Sequence, residues 1–340
     1  MSLCLACKGC KKDCPTGVDM AKWKAEFRAH HYANRRRPRS AWAMANIHRL
    51  ARLAEHAPWL ANFGTQAPGV AALSKWIGGI DRKRRMPRFS RSFRRQFRPS
   101  PKGGDLVILW PDTFNNYLRP RTAMSAARLL EAAGFQVSLP AKPLCCARPL
   151  YDWGYLDAAK KLWEETFATL KDAIAEGTPI IGLETACTSA FKDELPALFP
   201  SREEAAKLSS QVVHITDFVS AHFDRFPKPE KGGRALVQPH CHHHAVIGFD
   251  SELQLLDRLG VSVDRPPQGC CGMAGAFGFA SETADLSRAI GERVLLPAVR
   301  EAPADTIILA DGFSCREQIE QGTGRATLHI AELMAKKMIG

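Results

Sequence analysis

Gly269-Cys270-Cys271-Gly272 places two adjacent cysteines between glycines. Neighbouring cysteines close only a strained disulfide ring because their Cβ atoms point apart. The pair therefore reads as two thiolates presented to a metal centre. The flanking glycines let the backbone take positive φ and approach closely, so that both sulfurs can face one point. Cys145-Cys146 stands in a matching setting, and each pair has further cysteines before or after it. Two copies of one metal-binding design are expected.

The sequence around the two pairs also repeats. Residues 105–110 and 234–238 are apolar runs of strand length, each leading into a turn and a helix. Those helices end at Gly134 and Gly260, followed by short strands over 135–139 and 261–264. The cysteine pairs come next, then helices near 155–176 and 281–296. Strands over 179–183 and 306–310 lead to Cys187 and Cys315. Each half closes on a similar phrase, His214-Ile215-Thr216-Asp217-Phe218 and His329-Ile330-Ala331-Glu332-Leu333. Strands alternating with helices predict an α/β fold of parallel layers, with the cysteines in loops at the strand ends. Two halves, 105–230 and 231–340, are expected to be related by a pseudo-twofold axis.

Ahead of them, Cys4-x2-Cys7-x2-Cys10-x3-Cys14-Pro15 has the spacing of the bacterial ferredoxin run, whose loop wraps a 4Fe-4S cluster in thiolates. Two-residue gaps turn the chain so that three successive sulfurs converge. The proline ends the loop and leaves the fourth sulfur to point elsewhere. A zinc knuckle, the alternative, pairs Cys-x2-Cys with distant ligands. This ferredoxin-like segment is assigned residues 1–34. Asp19 is placed to cap a helix whose apolar side, Met20, Trp23 and Phe27, would cover the cluster.

Residues 35–104 read as a basic helical linker. One helix carries Ala43, Ile47, Leu50 and Ala54 on one side and ends near Pro58. Phe89, Phe93 and Phe97 then recur every fourth residue among Arg88, Arg91, Arg94, Arg95 and Arg98, as in a basic amphipathic helix. Such a stripe packs its phenylalanines on the body, rests on an anionic membrane, or grips nucleic acid. Residues 22–100 hold 19 Lys/Arg against 3 Asp/Glu, whereas residues 101–340 hold 25 against 30. The net charge of +12 is thus local, and a slightly acidic main body argues against a nucleic-acid-binding protein. With 45% hydrophobic residues over 340 positions the chain can bury a large core. No secretory leader and no apolar run of about 18 residues is visible. A cytoplasmic protein, soluble or peripheral on the inner face of the cell membrane, is expected. Eleven cysteines, an odd number clustered in short runs, favour metal or redox use over a disulfide framework.

The order Cys, Cys-Cys-Gly, Cys in tandem α/β halves behind a ferredoxin-like run resembles the cysteine-rich CCG-domain proteins. These include iron-sulfur subunits of glycolate oxidase and anaerobic glycerol-3-phosphate dehydrogenase, and heterodisulfide reductase subunits. The similarity is greatest to the C-terminal part of long FAD-linked D-2-hydroxy-acid dehydrogenases of D-lactate or D-2-hydroxyglutarate type. It is carried by Cys4-Leu5-Ala6-Cys7-Lys8 through Asp19-Met20 and by Asp311-Gly312-Phe313-Ser314-Cys315, and it covers almost the whole chain.

The resemblance implies that Cys241, Cys270, Cys271 and Cys315 hold a second Fe-S cluster or zinc. The Cys-x-x-Cys that closes the fuller heterodisulfide reductase pattern is missing, with Gln318 three residues beyond Cys315, which argues against a five-cysteine noncubane cluster. The first half keeps Cys145, Cys146 and Cys187. Its pair is followed by Ala147 rather than glycine, and Asp112 stands where a leading cysteine would fall. That carboxylate is a metal ligand or merely a turn cap. The second half therefore ranks ahead as the metal site. His240-Cys241-His242-His243-His244 adds nitrogen donors, with His244 at Cys-x2-His spacing; at most one of them is expected to be a ligand or to orient one. Arg316 beside Cys315 either stabilises thiolate charge or makes a surface salt bridge.

No Gly-x-Gly-x-x-Gly loop, Walker sequence or nucleophile elbow is visible, which places substrate chemistry elsewhere. Three classes remain. The chain is an electron-transfer module between a flavin and a quinone or other carrier, a disulfide-cleaving CCG enzyme, or a structural metal protein whose basic segment binds a partner. The first is favoured, because a ferredoxin-like run needs an electron source and a sink. Only one such run is present, so Cys14 either completes the cubane of Cys4, Cys7 and Cys10 or waits for a cluster whose other ligands are absent. The long relatives carry flavin and another cysteine run upstream. The chain is thus expected to lack FAD, to show no dehydrogenase activity alone, and to need a flavoprotein as a partner or upstream domain.

Overall fold

The structure, a computed structural model, describes residues 1–99, 103–266 and 269–340. Four strands, β1 (Leu106–Leu109), β2 (Gln136–Ser138), β3 (Ile180–Gly182) and β4 (Val212–His214), form one sheet in the order β2-β1-β3-β4. Strands β5 (Arg234–Val237), β6 (Ser262–Asp264) and β7 (Ile307–Leu309) form a second in the order β6-β5-β7. Every pairing is parallel, for example Val107 with Val137 and Ala235 with Ile307. The expected α/β class with parallel sheets is therefore observed. Strand β4 was not expected; near the end of the second half, Leu328 makes only a single parallel bridge to Leu309.

Alternation of side chains along a strand explains how the two sheets share one interior. Val107, Leu109 and Ile181 of the first sheet's region, together with Ala235, Val237 and Leu309 of the second, point into one common core. Helices Pro120–Ala132, Ile215–Ala221, Asp250–Arg258 and Ile330–Met338 fill it. The intervening residues face the other way. Ile108, Trp110 and Ile180 meet Cys146 and Cys187, while Leu236, Ile308 and Ala310 meet Cys271 and Cys315. Each sheet thus has one face in the joint core and one face under its own cysteines.

Polar and aromatic contacts cross between the halves. Arg119 donates to Glu317 at 2.7 Å and to Glu320 at 2.5 Å. Phe114 and Phe313 stack at 4.5 Å. Arg316 is buried rather than in a surface salt bridge, and it donates to Thr122 Oγ1 at 3.1 Å and Asn115 Oδ1 at 3.2 Å.

The N-terminal region differs from expectation in two places. Asp19 caps helix Met20–His31, accepting from Ala21 and Lys22. The face that packs, however, is Ala21, Lys24 and Ala25, while Trp23 and Phe27 are exposed. Lys24 turns inward because its ammonium donates to the Cys4 carbonyl, and Arg28 reaches the Asp152 carbonyl at 2.8 Å. Second, the phenylalanine stripe forms no long helix. Only Phe93–Gln96 is helical, with Phe93 and Phe97 in the common core. Arg84 is drawn into the body by Gly278 O, Gln318 Oε1 and Ser287 Oγ at 2.7–2.9 Å, and Arg94 donates to Pro140 O at 2.7 Å. These bonds hold the segment in irregular backbone against the body. Between the two lie helices Arg39–Ala45, Ile47–Ala54, Pro58–Gln66 and Val70–Gly78. Pro58 begins a helix, as a proline in the first turn can, as well as ending the approach to it. Among the described residues no helix is long and apolar enough to cross a membrane.

Candidate metal centres

The loop after β6 delivers the decisive pair. Gly272 has φ 77°, and a Cβ there would lie 2.2 Å from the Ser287 carbonyl, so only glycine lets this loop lie against helix Ala284–Glu292. The turn carries Cys271 to within 3.3 Å of Cys315, which lies in the first turn of helix Phe313–Thr323 after β7. Cys270 Sγ accepts from the Gly272 amide at 3.3 Å. Cys241 comes from the loop after β5; burial pushes its thiol well up, and Cys271, Cys270 and Cys7 add to that. Cys315 lies within electrostatic reach of Cys241 and Cys270. Cys271 and Cys315 thus meet at the C-terminal end of the second sheet, where loops of a parallel sheet come together, with Cys241 and Cys270 within electrostatic reach.

Cys7 is the link to the N-terminal run. Burial pushes its thiol up, and Cys270, Cys4 and Cys10 act on it in the same direction. Ala6 and Lys8, at φ 55° and 61°, place left-handed residues on either side of Cys7, a backbone form that turns N–H groups inward. Ala6 N donates to Cys4 Sγ at 3.4 Å and Met20 N to Cys10 Sγ at 3.3 Å. Cys14 is engaged instead with Thr16 Oγ1 at 3.0 Å.

In the first half Cys146 and Cys187 lie 2.9 Å apart. Hydrogen bonds from the Cys145 and Cys187 thiols hold Cys146 well below the ordinary thiol range, and Arg148 helps. Ala147 occupies the glycine position yet takes the same left-handed turn, at φ 58°. Asp112 caps helix Thr113–Tyr117 through Phe114 N and Asn115 N. It also lies within electrostatic reach of Cys146 and Cys187, and burial raises its carboxyl to about 6. His244 is exposed, with its carbonyl accepting from Lys12, and stands apart from the sulfurs.

All eleven cysteines are free thiols. Free thiols with backbone amides directed at Cys4, Cys10 and Cys270 are chemically suited to metal binding at the second-half site and the N-terminal loop.

The two halves and the N-terminal loop also match known proteins. The family model described as "Cysteine-rich domain" (CCG) matches residues 113–192 and 250–320, which take in both cysteine pairs with Cys187 and Cys315. Two segments of the chain thus match the cysteine-rich CCG domain. The chain is 26% identical over 350 residues to D-2-hydroxyglutarate dehydrogenase of Pantoea ananatis (strain AJ13355), covering 97% of this chain and 33% of the relative. It is 27% identical over 289 residues to a subunit of the anaerobic glycerol-3-phosphate dehydrogenase of Escherichia coli (strain K12), covering 82% and 72%. Lactate utilization protein A of Bacillus subtilis (strain 168) is 28% identical over 246 residues, covering 67% and 98%. The chain spans about a third of the length of the D-2-hydroxyglutarate dehydrogenases that it matches.

Charged residues between the CCG cysteines escaped the sequence reading. Lys8 is buried against Asp19, Asp193 and Glu194 at 2.9, 2.6 and 3.1 Å. Arg148 donates to Glu194 at 2.8 Å and contacts His242 Nε2 at 2.9 Å, and its charge is felt by both Cys146 and Cys241. His242 Nε2 also lies 2.8 Å from the Ala6 carbonyl. Glu184 accepts from Phe313 N at 2.8 Å and neighbours both Cys187 and Cys315. Burial, with Asp112 close by, raises it to about 8. One signal was available for Arg148: it follows a Cys-Cys pair by two residues, much as Arg316 follows Cys315.

Proposed function

We propose that this chain is the iron-sulfur electron-transfer module of an FAD-linked 2-hydroxy-acid dehydrogenase, taking electrons from a flavoprotein and handing them to a quinone or other carrier. The observation that supports this reading is that the N-terminal loop packs on the segment carrying Cys241: the carbonyl of Ala6, beside Cys7, lies 2.8 Å from Nε2 of His242, and Lys12 reaches the His244 carbonyl at 3.0 Å. Bound there, iron-sulfur clusters supply one-electron carriers. Cys4, Cys7 and Cys10, with Cys14 as the fourth residue of the run, are assigned a 4Fe-4S cluster. Cys241, Cys270, Cys271 and Cys315 are assigned a second Fe-S cluster or zinc. Cys145, Cys146, Cys187 and Asp112 form a degenerate third set. In this reading residues 1–34 are a ferredoxin-like segment, 35–104 a linker, and 105–230 and 231–340 tandem CCG units about a pseudo-twofold axis.

The protein's own residues have three tasks here. Thiolates hold the metal, while Lys8 and Arg148 offset the negative charge that gathers where the runs meet. Met273, Phe279 and Ile80 line the apolar side of the second-half site and keep water from it. The relatives' printed names, two dehydrogenases and a lactate utilization protein, favour this module over a disulfide-cleaving enzyme. The coverage of only a third of D-2-hydroxyglutarate dehydrogenase agrees with flavin and substrate chemistry on an upstream domain or partner.

Iron, acid-labile sulfide and zinc analysis with EPR on anaerobically purified protein is the test. The expected result is iron and sulfide at the N-terminal and second-half sites, no FAD, and hydroxy-acid turnover only with an added flavoprotein. Zinc throughout, or robust substrate oxidation by the 340-residue chain alone, would overturn it.

The acceptor side has a candidate location. Arg82, Lys83, Arg88 and Arg91 are exposed, and Asn62 ties this segment to helix Pro58–Gln66 through Phe89 at 2.8 Å. Trp59, Leu60 and Phe63 of that helix are exposed as well. Basic and apolar side chains on one surface suit an anionic membrane face, each arginine adding about 1 kcal/mol. Flotation should show binding to anionic vesicles at low salt, several-fold weaker at high salt. Equal binding to neutral and anionic vesicles, or none to either, would refute this.

A further inference from the structure

Away from the cysteines, the joint between the two halves buries an unusual set of side chains. His214 ends β4, Asp311 follows β7, His243 lies two residues beyond Cys241, and Glu252 is in helix Asp250–Arg258. His214 and His243 are fully buried, and Glu252 and Asp311 are 2% and 3% exposed. One ligand atom each from His214, His243 and Asp311 falls within 4.8 Å of the others. His214 Nε2 is 3.8 Å from Asp311 Oδ2, and His243 Nδ1 is 3.2 Å from Glu252 Oε2.

Several of these atoms have no hydrogen-bond partner. Asp311 Oδ2, Glu252 Oε2 and both ring nitrogens of His243 are buried and make no hydrogen bond, the approach of His243 Nδ1 to Glu252 being an ion-pair distance only, and a buried polar atom in that state is costly. A proton shared by Glu252 and Asp311 would satisfy two oxygens, and Nδ1 of His243 lies 3.2 Å from Glu252, but Nε2 of His243 would stay unpaired. A cation satisfies all of them at once.

The surrounding bonds suit that arrangement. His329 Nε2 donates to the Leu183 carbonyl at 3.0 Å, so that carbonyl does not depend on His214 Nε2, which approaches it at 3.2 Å. His214 Nδ1 contacts Thr216 Oγ1 at 2.8 Å. With that nitrogen protonated and donating, Nε2 presents its lone pair, the usual way a second partner orients a metal-bound imidazole. Asp311 Oδ1 is fixed by the Ile330 amide at 2.8 Å, which leaves Oδ2 for the ion.

We infer that His214, His243 and Asp311 bind a divalent transition-metal ion, zinc or ferrous iron, with Glu252 as the carboxylate behind His243, and that this ion pins the two halves together. Two imidazoles and a carboxylate are the donor set such ions prefer. Full burial gives the ion a structural part.

The full chain, purified anaerobically, is compared with His243→Gln, Asp311→Asn and the exposed control His244→Gln. The expected result is that the first two lose one metal equivalent per chain, while sulfide content and the cluster EPR signal stay as in wild type and the control. Chelator-treated wild type should regain its melting temperature with added Zn2+ or Fe2+, the more effective ion naming the metal. Added Co2+ should give d–d bands in wild type and none in His243→Gln. Equal metal content in folded wild type and both variants, or identical Co2+ spectra, would overturn the inference. If those variants fail to fold, Glu252→Gln carries the test, because its amide can still donate to Asp311. About 10–100-fold weaker Zn2+ binding supports the ion, whereas unchanged binding and stability would leave a proton-sharing pair and refute it.

Discussion

Replacing Cys271 with serine should remove the metal of the second-half site and lower acceptor reduction by at least about 100-fold, while the α/β fold survives. Losing only an outer-shell partner of a metal ligand typically costs 10–100-fold, and Cys271 stands nearer the centre. It lies 3.3 Å from Cys315 and is almost fully buried. The joint core of the two sheets contains Val107, Leu109, Ala235 and Val237 but not Cys271, so the circular dichroism spectrum should be retained. Iron and sulfide content, measured beside acceptor reduction with the flavoprotein present, checks this. Cys271→Ser with unchanged metal content and unchanged rate would remove the second-half site from the pathway. Cys14→Ser is the informative comparison, since Cys14 is bound to Thr16 and its loss should be milder.

Arg148→Met should destabilise the protein by about 3 kcal/mol, visible as a lower urea midpoint with an unchanged m-value. Removing one member of a buried ion pair leaves the other charge uncompensated, typically at 3–5 kcal/mol. Here Lys8, 3.1 Å from Glu194, softens the loss. The double variant Arg148→Met/Glu194→Gln should recover much of the stability, because no buried carboxylate is then stranded. Arg148 also holds His242 and the Ala6 carbonyl. The same substitution should therefore loosen the Cys4–Cys10 loop and speed its cleavage by protease. A variant as stable as wild type would show that the buried charges do not act together.

The strands were legible because apolar runs of four or five residues, bounded by glycine or proline, can bury both faces, and β1 and β5 do so. Strand β4 was hidden by its brevity and by ending on His214. Spacing singled out the ferredoxin-like run and the two cysteine pairs, whereas grouping Cys241, Cys270, Cys271 and Cys315 needed the family resemblance. Periodicity misled where a competing bond was stronger. Trp23 and Phe27 form an apolar stripe, yet Lys24 faces inward to satisfy the Cys4 carbonyl. Phe89, Phe93 and Phe97 have helical spacing, but Arg84 and Arg94 seek carbonyls in the body and straighten the chain. Lys8, Glu184 and Glu194 lay beyond pattern reading altogether, since a charge is taken as exposed until the group that compensates it is known.

Each sheet gives one face to the joint core and the other to cysteines, and this separation sets the order in which the molecule can be built. The adhesive between the halves is aliphatic and aromatic, with no thiol among its described members. Packing of this shared core is therefore expected not to depend on the metal held by the cysteines, so that cluster loading can follow on a formed scaffold. If the cysteines hold clusters as proposed, a molecule that loses them to oxygen is expected to keep its core and to accept refilling.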